Sequence, residues 1–127
     1  MVRDVKERRV GWIWVSAGFG FLAVALGAFG AHGLRGKIPE RLFAAYETGV
    51  LYHLVHAVVL LAVSLAARQS ASTAIVAQSL LVAGIVLFSG SLYVMAMTGY
   101  GRLGIVTPFG GVCLLAAWVA IGVQLGR

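Results

Sequence analysis

Four long stretches of this chain, residues 10–31, 49–67, 73–97 and 103–125, contain no Lys, Arg, Asp or Glu. Each is close to the ~20 residues that carry a helix across a ~30 Å hydrocarbon core. A chain of 127 residues that is 61% hydrophobic and 11% charged has too little polar surface to enclose four such runs in water. Lipid must be its solvent. The runs are continuous and do not alternate every second residue, so they predict helices and not barrel strands; in hydrocarbon each backbone polar group has to be satisfied inside its own segment. The expected fold class is all-α, an integral membrane four-helix bundle forming a single transmembrane domain over residues 1–127.

The first run follows a charged arm, "MVRDVKERR". A signal peptide has that outline, but its apolar core is only ~7 to 15 residues, so a retained first span is expected. An even number of spans puts both termini on one side. Assigning them to the cytoplasm places Arg3, Lys6, Arg8, Arg9, Arg68 and Arg127 inside, with Arg35, Lys37, Arg41 and Arg102 outside. The dense group beside the first span decides the orientation, giving a multi-pass protein of the cell membrane. The net charge of +6 then matches anionic lipid headgroups as partners. Nucleic acid is excluded, because no soluble domain is available to carry a basic surface. Cys113 is the only cysteine, so no intramolecular disulfide forms.

The connections carry their own punctuation. Gly33, Gly36 and Pro39 end one helix and begin the next. A second helix running from Pro39 to Ala67 would be ~43 Å long at 1.5 Å per residue, more than the hydrocarbon needs. Residues 39–48 are therefore expected as a short amphipathic interfacial extension, with Leu42, Phe43, Tyr46 and Val50 on one face and Glu40, Ala44 and Glu47 on another. Ser72 is the expected N-cap of the third span. Thr107 and Pro108 restart the chain as the fourth. The loops "HGLRGKIP" and "YGRLGIVTP" share a glycine, cation, glycine, proline order; two loops making the same reversal would converge on it without duplication.

Lipid removes the hydrophobic drive between helices, so small residues and interhelical hydrogen bonds must hold them together. Gly20, Ala23, Gly27 and Ala31 form the expected packing seam of the first span, Gly84 and Ser91 that of the third, and Gly110 with Ala117 and Ala120 that of the fourth. A phosphate loop in "GAFGAHG" is rejected, because no strand-to-helix setting surrounds it.

Chemistry-bearing residues gather at one end. His32, Arg35, Glu47, His53, His56 and Arg102 should all lie towards one membrane face, with Arg35 or Arg102 as partner for Glu47. His53 and His56 are three apart, about 60° round a helix, and His53 continues the Tyr46 face into the bundle. The favoured reading is polar glue, with imidazoles bonding backbone carbonyls across helices. Three other readings compete with it: a metal held by His32, His53 and His56, a haem held by paired histidines, and a proton path through a histidine and Glu47. No cofactor is expected. Catalysis is not expected either, since Ser89 and Ser91 lie mid-span, away from the histidines, and no nucleophile elbow is present.

Three marks, "LGAFGAHGL", "F-x-x-Y-x-T-G-V-L-Y-H-L-V-H-A" and "G-x-x-T-P-F-G-G", resemble those of the YgdD-like family of small four-span membrane proteins, a domain-of-unknown-function family that also includes transmembrane protein 256 of animals. The resemblance runs from about Gly18 to Trp118. It implies four helices, an inner-membrane location in bacteria and no assigned reaction. The family positions carry over as Gly27, Gly30, His32, Gly33, Tyr52, His53, His56, Thr107, Pro108, Gly110 and Gly111. The function expected is a structural or interaction component packing against itself, as a homo-oligomer, or against a larger membrane complex. The alternative is a transporter or a proton- or metal-linked protein using the histidine cluster.

Overall fold

A computed structural model describes residues 1–70 and 73–127. Its helices are α1 (Val2–Phe29), α2 (Glu40–Gln69), α3 (Ile75–Thr98) and α4 (Thr107–Leu125), each long and apolar enough to cross a membrane. A π turn, Gly30–Leu34, follows α1, and a 3-10 turn, Gly101–Ile105, precedes α4. Ser72, expected as an N-cap, lies outside the described residues; Ala74 precedes α3 without a capping side chain.

Each helix runs antiparallel to the next. Arg9 reaches Ser70 at one end of the α1–α2 pair, and Tyr46 reaches Leu26 at the other. Gln78 meets Ser64 and Ser89 meets Gly49 between α2 and α3, while Ser91 meets Thr107 and Ala77 meets Gln124 between α3 and α4. Packing follows chain order, α1 on α2, α2 on α3 and α3 on α4, and α4 touches α2 lightly. Among the described residues α1 has no sustained packing with α4. The bundle is therefore an open row with α2 and α3 inside. In the most apolar stretch of each span, 39% and 44% of the residues of α2 and α3 are buried, against 17% for α1 and α4.

The interior has two apolar clusters. One, nearer the termini, packs Leu60 and Val63 of α2, Leu81 and Ile85 of α3 and Leu114 of α4, with Trp12 and Phe19 of α1 against it. The other joins Leu34, Leu42, Tyr46, Tyr93 and Ala96 beneath the first and third connections. Residues 39–48, expected as an amphipathic extension of the second span, are from Glu40 the first turns of α2, with Leu42 and Tyr46 in this cluster and Glu40, Ala44 and Glu47 exposed on another face.

The two similar loop sequences reverse the chain differently. After α1 a π turn closes through the Arg35 N–H donating to Gly30 O at 3.0 Å, and Gly36 turns the chain at φ 76°. After α3, Gly99 takes φ 71° at once and donates to Met95 O, and the 3-10 turn follows. Left-handed backbone of this kind suits glycine because it lacks a Cβ.

Candidate functional site

The six polar residues expected as one cluster fall into separate groups. Arg35, on the first connection, pairs with Glu47 at 3.4 Å, but both side chains are more than half exposed, so the pair contributes at most about 1 kcal/mol. Arg35 also lies over the Phe43 ring, 5.5 Å from its centroid. His32 and Arg102 are exposed on their connections. His53 and His56 are buried one turn apart on α2 and engage different helices.

His56 has both ring nitrogens occupied. The Trp118 indole of α4 has only an N–H to offer, so at 3.3 Å it donates to His56 Nε2. The proton must then sit on Nδ1, which donates to the Tyr52 carbonyl at 2.8 Å. His56 is thus a neutral crosspiece between α2 and α4, with the Tyr52 ring stacked beside it at 5.9 Å. Both His56→Leu and Trp118→Phe are expected to weaken the bundle, and a double-mutant cycle on unfolding in mixed micelles should give a coupling of about 1 kcal/mol. Strictly additive effects would mean that the indole and imidazole do not support each other.

His53 is 3% exposed and points to α3 instead. Its Nδ1 is 3.0 Å from the Tyr93 hydroxyl, and the Phe19 ring of α1 meets it edge-on at 5.8 Å. Its Nε2 is buried without a hydrogen-bond partner. Above it, Tyr46 packs against Tyr93 with centroids 5.1 Å apart, and its hydroxyl donates to the Leu26 carbonyl. No three of His, Cys, Asp and Glu among the described residues are placed to hold a metal ion. The His32, His53 and His56 ligand set is not assembled, because His32 stays on the surface and His56 is committed to Trp118.

The small residues also divide. Gly110 lies against the α3 backbone: a Cβ built there would be 2.7 Å from Phe88 Cα and 2.8 Å from the Leu87 carbonyl carbon. A Cβ on Gly84 would meet the Leu114 side chain, and one on Gly27 would be 3.2 Å from a Val50 methyl. Ser91 joins Thr107 at 2.6 Å, and Ala23 is buried. Gly20 has no neighbour within 4 Å of such a Cβ, and Ala31 is exposed, so neither belongs to the seam expected of them.

A further polar layer was not anticipated. Ser16, Ser64 and Gln78 are all buried, on α1, α2 and α3. Ser64 Oγ donates to Leu60 O at 2.7 Å and accepts from Gln78 Nε2 at 3.1 Å; Ser16 Oγ donates to Trp12 O and lies 3.4 Å from Ser64 Oγ. The signal was an amide inside an apolar run, which needs a partner on another helix.

Residues 26–111 match the model of a family described as "Protein of unknown function (DUF423)". This stretch runs from the carbonyl that receives Tyr46 to the glycines that open α4. The chain is similar to UPF0382 membrane protein YwdK of Bacillus subtilis, 48% identical over 102 residues that cover 79% of this chain and 83% of the relative. It is similar to a UPF0382 membrane protein of Haemophilus influenzae, 38% identical over 102 residues, or 80% of this chain and 82% of the relative. UPF0382 inner membrane protein YgdD of Escherichia coli is 40% identical over 100 residues, or 78% of this chain and 76% of the relative. No solved structure matches.

Proposed function

Because the chain belongs to the DUF423 family of membrane proteins, we propose that it is a non-catalytic interaction component of the bacterial inner membrane, with both termini in the cytoplasm. The observation that carries this reading is the use of His56: Nε2 is spent joining α2 to Trp118 of α4 and Nδ1 on the Tyr52 carbonyl of α2 itself, leaving neither for a ligand. Ser89 on the Gly49 carbonyl and Ser91 on Thr107 are spent in the same way. Polar groups in the spans thus hold a rigid core. The outer rods offer surface: Trp14 and Phe21 of α1 and Leu115 and Val119 of α4 are exposed side chains suited to lipid, to a second copy or to a larger complex.

The test is His56→Gln beside wild type in mild detergent, with thermal stability, bound metal and co-purifying mass recorded. Lower stability with no metal in either sample, and wild type travelling as more than a 13.3 kDa monomer, is the expected result. Unchanged stability with loss of a stoichiometric metal would replace the reading with a cofactor role.

One observation favours a second reading, proton-linked transport: the partnerless Nε2 of His53. Buried imidazole with a free nitrogen is the group such a path requires. Proteoliposomes holding wild-type protein are expected to show no proton flux above empty vesicles. A flux abolished by His53→Phe would establish transport instead.

A further inference from the structure

At the end of the bundle that holds both termini, a cavity of about 270 Å³ opens between the start of α1, the end of α2 and the start of α3. Its walls combine three kinds of group. Arg8 and Arg9 stand on one side, Gln78 and Ser64 of the buried layer line its floor, and Trp12 and Ile75 form an apolar rim. A second cavity, of about 420 Å³, lies on the other side of Arg9, with Lys6 and Arg68 in its wall.

Arg9 is held in place. Its Nη1 donates to the Ser70 carbonyl at 2.8 Å and, more loosely, to the Arg68 carbonyl at 3.5 Å. Those carbonyls end α2, where the helix dipole favours a cation. Arg8 makes one long bond, from Nε to the Asp4 carbonyl at 3.4 Å. Neither guanidinium pairs with a carboxylate among the described residues: Asp4 lies by the amino-terminal ammonium, and Glu7 lines a different surface with Arg3 and Lys6. Two guanidiniums without a carboxylate partner among the described residues, beside a buried amide, ask for an oxyanion that carries further hydrogen-bonding oxygens.

We propose that this cavity binds the headgroup of an anionic phospholipid, Arg8 and Arg9 taking the phosphate and the Gln78 amide the polar part of the headgroup. The size fits a headgroup alone, being just below the ~300 Å³ at which pockets enclose small ligands. Acyl chains then run outside over Ile75 and Val76, which are 48% and 51% exposed on the span. The depth fits as well. Arg9 adjoins Val10, the first residue of the charge-free run, and Trp12 and Trp14 stand at the level where indoles anchor in the interface. This continuity with the lipid-facing surface is what selects a lipid over a soluble phosphate ester.

Native mass spectrometry of the full chain, loaded in detergent with phosphatidylglycerol or phosphatidylcholine, tests it. Wild type should retain phosphatidylglycerol preferentially, and Arg8→Gln/Arg9→Gln should lower that retention about tenfold or more. Arg3→Gln/Lys6→Gln, which removes the same charge outside this cavity, should leave it nearly intact. Should loss of the Arg9 anchor unfold the double variant, Arg8→Gln alone serves, with a smaller drop expected. Equal losses in the two double variants, or no preference between the lipids, would overturn the site. Displacement of the lipid by equimolar glycerol phosphate would overturn the lipid assignment in favour of a soluble ligand.

Discussion

Gly110→Ala is expected to destabilise the protein by about 3 kcal/mol, the upper range for forcing an added methyl into a packed interior. The reason is what the methyl would meet. Phe88 N, Phe88 Cα and the Leu87 carbonyl carbon are backbone atoms of α3, which cannot rotate away as a side chain does. The two helices would have to separate. Separation strikes the Ser91 to Thr107 bond one turn away and, farther along α4, the 3.3 Å bond from Trp118 to His56. Gly122→Ala supplies the control on the same helix: nothing lies within 4 Å of its added Cβ, and alanine is the better helix former by about 1 kcal/mol. Unfolding by SDS in mixed micelles should place the two variants on opposite sides of wild type, with Trp118 emission altered only in the first. Equal midpoints for both would show that α3 and α4 do not approach this closely in the membrane.

Gly110 also shows what was legible in the chain. Charge-free runs fix spans well, because one Arg or Glu in hydrocarbon is expensive wherever it sits on the helix. Depth is legible for the same reason: His53 and His56 lie about two turns inside Glu47 whichever way α2 is rotated. Direction is harder. Gly20 and Ala31 look like partners of Ala23 and Gly27 on a helical wheel, yet α1 packs on one main neighbour and most of its circumference faces outward. Small size shows where a neighbour fits, without showing that one is present.

The polar residues were limited in the same way. Glu47 and Arg35 are joined across a connection of few residues, and that pairing could be anticipated from chain proximity. The bond from Trp118 to His56 spans 62 positions and depends on how α4 folds back over α3 onto α2, which no local pattern encodes. Gln78 was legible in principle, as an amide inside an apolar run, but its partner Ser64 was hidden among small residues that read equally well as packing. Arg8 and Arg9 read as orientation signals by charge alone. Only the cavity beside them distinguishes them from Arg3 and Lys6.

Tyr46→Ala is expected to cost about 3 to 5 kcal/mol, the range for emptying a fully buried aromatic site. Tyr46 is 1% exposed and ties three elements together. Its ring fills the place that a Cβ on Gly30 would occupy, it packs on Tyr93 of α3, and its hydroxyl donates to the Leu26 carbonyl just before the π turn. Tyr46→Phe removes only the last of these and should cost about 1 kcal/mol. The difference between the two variants isolates the packing of the ring. Hydrogen exchange gives a local readout, since the Arg35 N–H that closes the π turn on Gly30 O should exchange faster in Tyr46→Ala. The Ser64 and Gln78 layer at the opposite end should keep its protection. A turn that stays protected in Tyr46→Ala would mean that it stands on its own backbone bonds, and the position of His32 would then owe nothing to α2.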